Sequence, residues 1–274
     1  MNSVITFWQV LIRKWRYIMA DEKLQNENNK QAEKAPEENT QKAKMSWQRF
    51  IFPNIHMDGW KFVGLAALFA IVLGVISAPL GVIGWILTAY VFFFFRDPDR
   101  VTPIGDNFVI SPADGLVNAI TMAPPPAELE MGEEPVVRVS VFLSVFNVHI
   151  NRVPATGTIT RLVYIPGKFF NASLDKASKY NERQLVAMKT AHGHQDLVFV
   201  QIAGLVARRI LCDLNEGDKV VSGQKFGLIR FGSRMDIYLP KGVEPQVVCG
   251  QEVVAGETVI ADMAIKGGRK GEVR

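Results

Sequence analysis

The sequence contains little cysteine and histidine, which limits the kinds of site it can build. Its two cysteines, Cys212 and Cys249, stand far apart in apolar stretches, so they form neither a disulfide framework nor a zinc-ligand spacing. His192 and His194 are close together but have no third ligand nearby. We therefore expect no metal, and two buried thiols favour a reducing compartment.

Positive charge is also in short supply for a nucleic-acid-binding protein. The formal net charge is only +4 over 274 residues, and no arginine-rich stripe with interleaved aromatic residues is present. We therefore expect no nucleic-acid partner, whereas a modest positive balance suits an anionic membrane surface. The sequence also lacks a convincing cleavable signal peptide and a dinucleotide-binding fingerprint.

Charge is missing altogether from residues 62–95. This run exceeds the roughly 20 residues that cross a bilayer once. Ser-Ala-Pro-Leu-Gly at 77–81 interrupts it with a helix-stop and turn signal. Two interpretations follow, a single kinked span and a helical hairpin that enters the membrane and returns. Basic residues on both flanks favour the hairpin, with both ends on the cytoplasmic side.

The N-terminal part of the chain divides into three segments. Residues 1–19 mix large apolar and basic side chains, which fits either an interfacial amphipathic segment or a flexible terminus. Residues 20–45 are rich in Glu, Gln, Asn and Lys and predict a disordered polar linker. Residues 46–95 form the membrane-anchoring region, and residues 96–274 form a separate soluble domain.

The sequence pattern of the soluble domain predicts mostly short strands, so we expect an α+β fold that is predominantly β. Val137, Val139 and Val141 alternate with other side chains in the period-2 pattern of a half-buried strand. Further strands are predicted at 197–202, 225–231 and 234–239, and a helical turn at 172–179.

A short internal repeat refines the predicted fold. Gly-Asp-Lys-Val-Val-Ser-Gly at 217–223 is echoed by Gly-Gln-Glu-Val-Val-Ala-Gly at 250–256. Each unit places a valine pair between two glycine turns. Quasi-symmetric repeats of this kind build flattened β-barrel sandwiches such as lipoyl-type domains, and we expect that architecture here.

The Gly232–Ser233 dipeptide lies between two predicted strands. Its commonest meaning is an ordinary hairpin turn. The alternative is autocatalytic serinolysis, in which the Ser233 hydroxyl attacks the Gly232 carbonyl and the serine residue becomes a pyruvoyl group. That chemistry needs a base and an acid partner. Asp114, after a predicted strand, and His149, at the end of the period-2 strand, are candidates, although a turn former and a core histidine are their ordinary roles.

Taken together, these segments resemble the phosphatidylserine decarboxylase family, in particular its short bacterial and archaeal-type subfamily. The similarity covers nearly all of the soluble part, in the family's order. The matching stretches are Arg-Asp-Pro at 96–98, Ser-Pro-Ala-Asp-Gly at 111–115, 143–149, Asn-Glu-Arg at 181–183, Gln-Ile-Ala-Gly-Leu-Val-Ala-Arg-Arg at 201–209 and Phe-Gly-Leu-Ile-Arg-Phe-Gly-Ser at 226–233.

The resemblance implies a proenzyme that cuts itself between Gly232 and Ser233. The β chain would be residues 1–232, and the α chain, residues 233–274, would begin with the pyruvoyl group. That cofactor would form a Schiff base with the amine of phosphatidylserine and yield phosphatidylethanolamine for phospholipid biosynthesis. The resemblance also implies an inner-membrane protein with its catalytic domain on the cytoplasmic side.

Roles of the remaining site residues also follow from the resemblance. Asp114 is the acid required for self-cleavage. His149 matches the first of two family histidines, and Arg152 stands where the second would be, so processing base and decarboxylation acid both remain open for His149. Arg152, Lys168 and Arg183 are candidates for binding the substrate, and a homo-oligomer is left open.

Three other functions compete with this interpretation. A pyruvoyl decarboxylase for a soluble amino acid would have no need of the apolar run. A membrane-anchored lipoyl-like adaptor or carrier module would need a modifiable lysine at a hairpin tip, which is not evident, and would not use Asp114 or His149. A scaffold with a coincidental Gly-Ser turn would require the family resemblance to be accidental.

Self-cleavage makes a prediction that a denaturing gel with mass spectrometry can check. The purified protein should give a chain ending at Gly232 and a small chain whose first residue is a blocked pyruvoyl. Ser233→Ala should abolish cleavage because the nucleophile is gone, and Asp114→Ala should strongly impair it. An intact wild-type chain with an ordinary Ser233 would contradict the enzyme interpretation, and normal processing of Asp114→Ala would contradict the role of Asp114.

Overall fold

The computed structural model describes residues 54–170, 172, 180–205, 209–230, 232–269 and 271. The predicted interfacial segment at 1–19 and the predicted linker at 20–45 lie outside the described residues. The same holds for all but one residue of the helical turn predicted at 172–179. The domain boundaries proposed for these segments therefore stay predictions.

Two apolar helices open the described part of the chain, α1 (Met57–Ile76) and α2 (Ala78–Phe94). The chain reverses at Ser77, which is extended, and Pro79 lies in the first turn of α2, where a missing N–H costs nothing. A helical hairpin is therefore present in place of a single kinked span. Small residues let the two backbones approach: a Cβ on Gly81 would lie 2.7 Å from the Gly74 Cα, and one on Gly84 would lie 2.7 Å from the Ala70 Cα.

The outer surface of this hairpin is apolar. Leu65, Val75, Trp85 and Ile86 are among its many exposed large side chains. Such an extensive exposed apolar surface is typical of contact with lipid or another apolar partner. Of the described helices, α1 is long and apolar enough to cross a membrane, while α2 is a shorter apolar helix.

The rest of the described chain is β structure, which confirms the predicted α+β, predominantly β class. An eight-stranded antiparallel sheet, in the order β12-β2-β3-β11-β7-β6-β5-β9, curls into a half-barrel and is accompanied by small sheets β4-β10-β8 and β1-β13. The strands are β1 (Phe108–Ile110), β2 (Gly115–Ala123), β3 (Val136–Leu143), β4 (Ile150–Arg152), β5 (Gly157–Ile165), β6 (Arg183–Thr190), β7 (Asp196–Ala203), β8 (Ile210–Cys212), β9 (Lys219–Val220), β10 (Lys225–Ile229), β11 (Ser233–Tyr238), β12 (Glu252–Val253) and β13 (Val259–Asp262).

Strand β11 runs through the middle of the large sheet, between β3 and β7, and all six of its residues are buried. Met235 and Ile237 belong to the main core inside the curled sheet. Tyr238 belongs to a second cluster on the outer face, which the short 3-10 helix Ala127–Leu129 helps to cover. Because side chains alternate along a strand, Ser233 points to the inside and Arg234 to the outside.

The alternation predicted for β3 is present, but its second face is not left open to solvent. Val139 and Val141 lie in the main core, as expected. Ser140, on the other face, is also buried, since the outer cluster covers that side of the sheet. The predicted strands at 197–202, 225–231 and 234–239 are confirmed as β7, β10 and β11, with small differences at their ends.

The internal repeat forms the two opposite edges of the eight-stranded sheet. In the first unit Val220 of β9 pairs with Gly157, and in the second Val253 of β12 pairs with Gly115. The glycine that opens each unit donates its N–H in the same way, Gly217 to the carbonyl of Ile159 and Gly250 to that of Val117. The two units are therefore equivalent by an approximate twofold relation, which confirms the strand–turn–strand repeat.

The hairpin packs against the β domain through a third apolar cluster at its base. Phe94 and Phe95, at the end of α2, lie together with Val148, Ile150 and Leu228. Ile55, just before α1, also pairs in an isolated bridge with Arg96, just after α2. The hairpin is thus joined to the segment that carries His149.

The close helix contact predicts that bulk at Gly84 destabilises the hairpin. Gly84→Leu should force α1 and α2 apart and lower the melting temperature in detergent, at a cost of about 1–3 kcal/mol. Gly64→Leu is the matched control, because a Cβ at Gly64 meets nothing within 4 Å. Equal melting temperatures for the two variants would contradict this packing.

Candidate active site

The Gly232–Ser233 peptide lies at the entry to the central strand β11. Gly232 has φ of 63°, in the left-handed region that favours glycine. Ser233 pairs with Leu143 on β3 and with Ala203 on β7, so it is fixed from both sides. Its side chain is fully buried, and its Oγ has no hydrogen-bond partner among the described residues. A buried hydroxyl without a partner needs an explanation, and a catalytic role is one that suits a serine at this position.

The carbonyl of Gly232, which the Ser233 hydroxyl would attack, packs against Gly204. A Cβ on Gly204 would collide with the Gly232 carbonyl oxygen, so only glycine permits this approach. Gly204 follows directly after β7, whose last residue Ala203 pairs with Ser233. In the sequence, Gly204 stands out only as part of the family resemblance at 201–209. Its contact with Gly232 could not be predicted, because the two glycines are adjacent only in the folded chain.

His149 binds the backbone N–H of Gly232, the residue before the cleavage point. Its Nδ1–H donates to the Asn147 carbonyl at 2.9 Å, since a carbonyl can only accept, and this leaves Nε2 as an acceptor. Nε2 accepts the Gly232 N–H at 3.3 Å. The ring is fully buried, and burial lowers the pKa of His149 to about 4. A neutral imidazole is therefore bound to Gly232 at neutral pH.

A tight turn before His149 aims the Asn147 carbonyl at the imidazole. The Asn147 side-chain oxygen accepts from the Ser144 N–H at 2.8 Å and from the Ser144 hydroxyl at 2.7 Å. An asparagine that bonds back to the main chain in this way stabilises a turn. Ser144 and Asn147 thus fix the histidine tautomer, a role that the sequence analysis did not assign to them.

Asp114 lies near this group but does not contact the imidazole. Its Oδ1 accepts the Ala255 N–H at 2.7 Å, and its Oδ2 forms an ion pair with Arg100 at 2.7 Å. Burial raises the pKa of Asp114, while Arg100 and the N–H groups of Ala255 and Val148 oppose this by favouring the charged carboxylate. No hydrogen bond joins Asp114 to the His149 ring, although both residues are described. Asp114 is therefore bound to the backbone at Val148, the residue before His149, and its predicted role as the acid in self-cleavage stays a prediction.

The three basic residues predicted to bind substrate have different surroundings. Arg152 is buried and donates to the carbonyls of Gly223 at 2.9 Å and Pro98 at 3.1 Å. Arg183 pairs with Glu128 at 3.1 Å. It lies beside Ile202 of the outer cluster, on the face of the sheet opposite Ser233.

Lys168, the third candidate, is exposed and precedes Ala172 by four residues. Ala172 is buried beside Gly204, and the Arg234 guanidinium donates to its carbonyl at 3.1 Å. Asn181 donates to the Ala203 carbonyl at 2.7 Å. Of the three predicted candidates, Lys168 is the one with an exposed charge.

The assembled groups are suited to acyl transfer within the chain. A buried hydroxyl, a neutral imidazole and a closely packed carbonyl belong to adjacent residues of one site. In the described part of the chain, no group of three or more His, Cys, Asp or Glu side chains is placed to hold a metal ion.

The glycine contact predicts that Gly204→Ala slows self-cleavage. The added Cβ displaces the Gly232 carbonyl, and a misplacement of about 1 Å can cost about 100-fold in rate. The ratio of uncleaved to cleaved chain after cell-free synthesis measures this. Gly64→Ala is the control, since a side chain at that position meets open space. Wild-type cleavage by Gly204→Ala would show that the carbonyl position does not matter.

Comparison with known proteins agrees with this site. The family model described as "Phosphatidylserine decarboxylase" matches residues 87–261. A phosphatidylserine decarboxylase proenzyme from Paramagnetospirillum magneticum is 56% identical over 238 residues, covering 86% of this chain and 99% of the relative. The proenzyme from Cereibacter sphaeroides is 56% identical over 214 residues, covering 78% and 91%, and that from Rickettsia africae is 55% identical over 216 residues, covering 79% and 93%.

The family match includes the end of α2, Asp114, His149, Gly204 and the Gly232–Ser233 peptide. It thus covers more than half of the chain and the whole candidate site. The relatives share more than half of their aligned residues with it over most of their own length. The chain therefore belongs to the phosphatidylserine decarboxylase family.

Proposed function

We propose that this chain converts phosphatidylserine to phosphatidylethanolamine with a pyruvoyl group made from its own Ser233. The observation that carries the proposal is the buried, unpartnered Ser233 hydroxyl directly after Gly232, whose N–H is bound to a neutral His149. The printed name of the relatives, decarboxylase proenzyme, fits a chain that must be processed before it acts.

Self-cleavage begins with Ser233 and His149. The His149 Nε2 would first exchange the Gly232 N–H for the Ser233 hydroxyl and then accept its proton, as Oγ bonds to the carbonyl carbon of Gly232. The peptide C–N bond then breaks, and the Ser233 nitrogen takes up the proton, which leaves an ester. Loss of the Ser233 Hα proton expels the Gly232 carboxylate and leaves a dehydroalanine. Addition of water releases ammonia and leaves the pyruvoyl group at the start of the α chain.

The neutral state of His149 suits a base in this sequence. A base must start unprotonated, and a His149 pKa of about 4 leaves the ring unprotonated at pH 7, whereas an acid must start protonated. Cleavage after Gly232 makes that residue a chain end, which would let its N–H move away from Nε2. The same nitrogen is then available to the substrate, so a later proton-transfer role for His149 is compatible with this one.

The residues around Ser233 fit a pyruvoyl group. The position lies inside the curled sheet, and its orphaned Oγ has no structural use in the unprocessed chain. A pyruvoyl carbonyl there supplies an electron sink for the pair released when the substrate carboxylate departs. Lys168 is our candidate among Arg152, Lys168 and Arg183 for the lipid headgroup, because it is exposed whereas the two arginines are buried.

The hairpin provides access to a lipid substrate. Its exposed apolar surface would lie in the bilayer, and Lys61, Arg96 and Arg100 would lie at its base near anionic headgroups. Basic residues at both ends favour a cytoplasmic catalytic domain on the inner membrane. The α and β chains of one precursor would remain partners in this arrangement.

Reductive trapping tests the proposal. The purified protein is incubated with cyanoborohydride and with phosphatidylserine in mixed micelles. The masses of the chains are then measured by mass spectrometry. We expect the lipid to be joined covalently to the small chain that begins at residue 233, with phosphatidylethanolamine formed in parallel without the reductant. Ser233→Ala should give neither result.

Two outcomes would contradict the proposal. Trapping of free serine in preference to the lipid would favour a decarboxylase for a soluble amino acid. A wild-type chain that stays uncleaved and is joined to neither serine nor the lipid would favour the carrier or scaffold interpretation.

A further inference from the structure

The base of the hairpin contacts the segment that ends in His149 at three points. The Phe94 ring lies on the imidazole, with 4.4 Å between ring centroids. The Tyr90 hydroxyl donates to the Val145 carbonyl at 3.1 Å. The Arg96 guanidinium donates to the Phe146 carbonyl at 2.7 Å. One helix end therefore holds the backbone on the N-terminal side of His149 and the face of its ring.

The other helix of the hairpin contacts the opposite side of the site. Asp58, in the first turn of α1, forms an ion pair with Arg230 at 3.3 Å. The Arg230 guanidinium carbon lies 5.0 Å from the centre of the Phe62 ring, also on α1. Arg230 is two residues before Gly232. Both partners of the hydrogen bond from Gly232 to His149 are therefore attached to the hairpin.

Lipid anchoring alone does not account for these contacts. The hairpin away from its base carries exposed side chains such as Val75 and Ile86, whereas Phe94 and Phe95 are almost completely buried in the cluster with Val148. A side chain in such a cluster cannot contact lipid. Its effect falls on the protein groups that it touches, and for Phe94 one of these is the imidazole of His149.

We propose that the base of the membrane hairpin is part of the self-cleavage site, with Phe94 as the positioning residue for His149. The Phe94 ring and the Asn147 carbonyl together fix the plane of the imidazole, so that Nε2 stays directed at Gly232. Tyr90 and Arg96 hold the loop before His149, and Asp58 holds the strand end before Gly232. The inference rests on the proposed self-cleavage, and it gives the hairpin a second task besides anchoring.

The test follows self-cleavage during cell-free synthesis into phospholipid nanodiscs, with samples shifted to a series of pH values. Phe94→Leu keeps apolar bulk but removes the ring from the imidazole, and we expect cleavage at pH 7 to slow about tenfold or more. Phe92→Leu is the matched control, because the Phe92 ring packs on Trp60 instead. Phe92→Leu should cleave at the wild-type rate. The amount of protein recovered with the nanodiscs should be equal for Phe94→Leu and Phe92→Leu.

The pH profile separates positioning from a general loss of structure. The wild-type rate should be constant between about pH 5.5 and 8, because His149, with a pKa of about 4, stays neutral. Loss of the Phe94 ring admits water and raises the pKa toward the ordinary value of about 6.5, so the rate of Phe94→Leu should fall as the pH drops below about 6.5. The charged groups on the elements around His149, namely Arg96, Arg100, Asp114 and the Asp58–Arg230 pair, are the same in both proteins.

Tyr90→Phe provides a second measurement should Phe94→Leu misfold. This change removes only the hydroxyl bond to the Val145 carbonyl, and we expect cleavage to slow several-fold with unchanged nanodisc recovery. Wild-type rate and profile in Phe94→Leu would overturn the proposal, as would a wild-type rate in Tyr90→Phe if Phe94→Leu does not fold. If the wild-type chain itself is not cut at Gly232, the proposed function fails instead, and the two failures are thereby distinguished.

Discussion

The hydrogen bond from the Gly232 N–H to the His149 Nε2 is the interaction on which the site depends. It exists because the imidazole is neutral, and the imidazole is neutral because it is completely buried. Burial alone would leave either ring nitrogen free to accept the hydrogen bond from the Gly232 N–H. The Asn147 carbonyl decides between them by taking the Nδ1 proton, and Ser144 holds Asn147 in place. The acceptor nitrogen of the proposed base is therefore set by a backbone turn.

The central position of β11 imposes a second constraint. Ser233 opens a strand that pairs with β3 along one side and with β7 along the other, so its backbone has little freedom to move. Arg234 and Asp236 form a buried ion pair at 2.8 Å on the outer face, and breaking such a pair leaves a buried charge without its partner. A cut after Gly232 leaves all of this pairing in place. The α chain would accordingly stay in the sheet, with its new terminus in the core.

In the proposed function, the hairpin joins membrane attachment to this chemistry. Its exposed upper part suits a lipid environment, while its base packs on the loop before His149 and on the strand end before Gly232. In the proposed arrangement, the step that brings the enzyme to its lipid substrate also completes the site that generates its cofactor. Close approach of α1 and α2 through Gly81 and Gly84 supports both tasks, because the two helices must end side by side.

Much of the fold was accessible from the sequence because it rests on local patterns. The charge-free run and its Ser-Ala-Pro-Leu-Gly break predicted a helix pair, alternating valines predicted β3, and the Gly-Val-Val-Gly repeat predicted two equivalent units. The hairpin was preferred over a single span on the basis of its flanking charges, and the reversal at Ser77 agrees with it. No local pattern indicated that the two repeat units would become opposite edges of one sheet, since that pairing joins residues far apart in the chain.

For the site, residue type made Ser233, Asp114 and His149 candidates, and the resemblance to a known family selected them from the other serines, aspartates and histidines. Their relations were decided only by tertiary structure. Packing in the folded chain set the contact of Gly204 with the Gly232 carbonyl, the placement of Phe94 on His149, and the separation of Asp114 from the imidazole. Each depends on which side chains become neighbours and lose water on folding, and a linear pattern does not specify that.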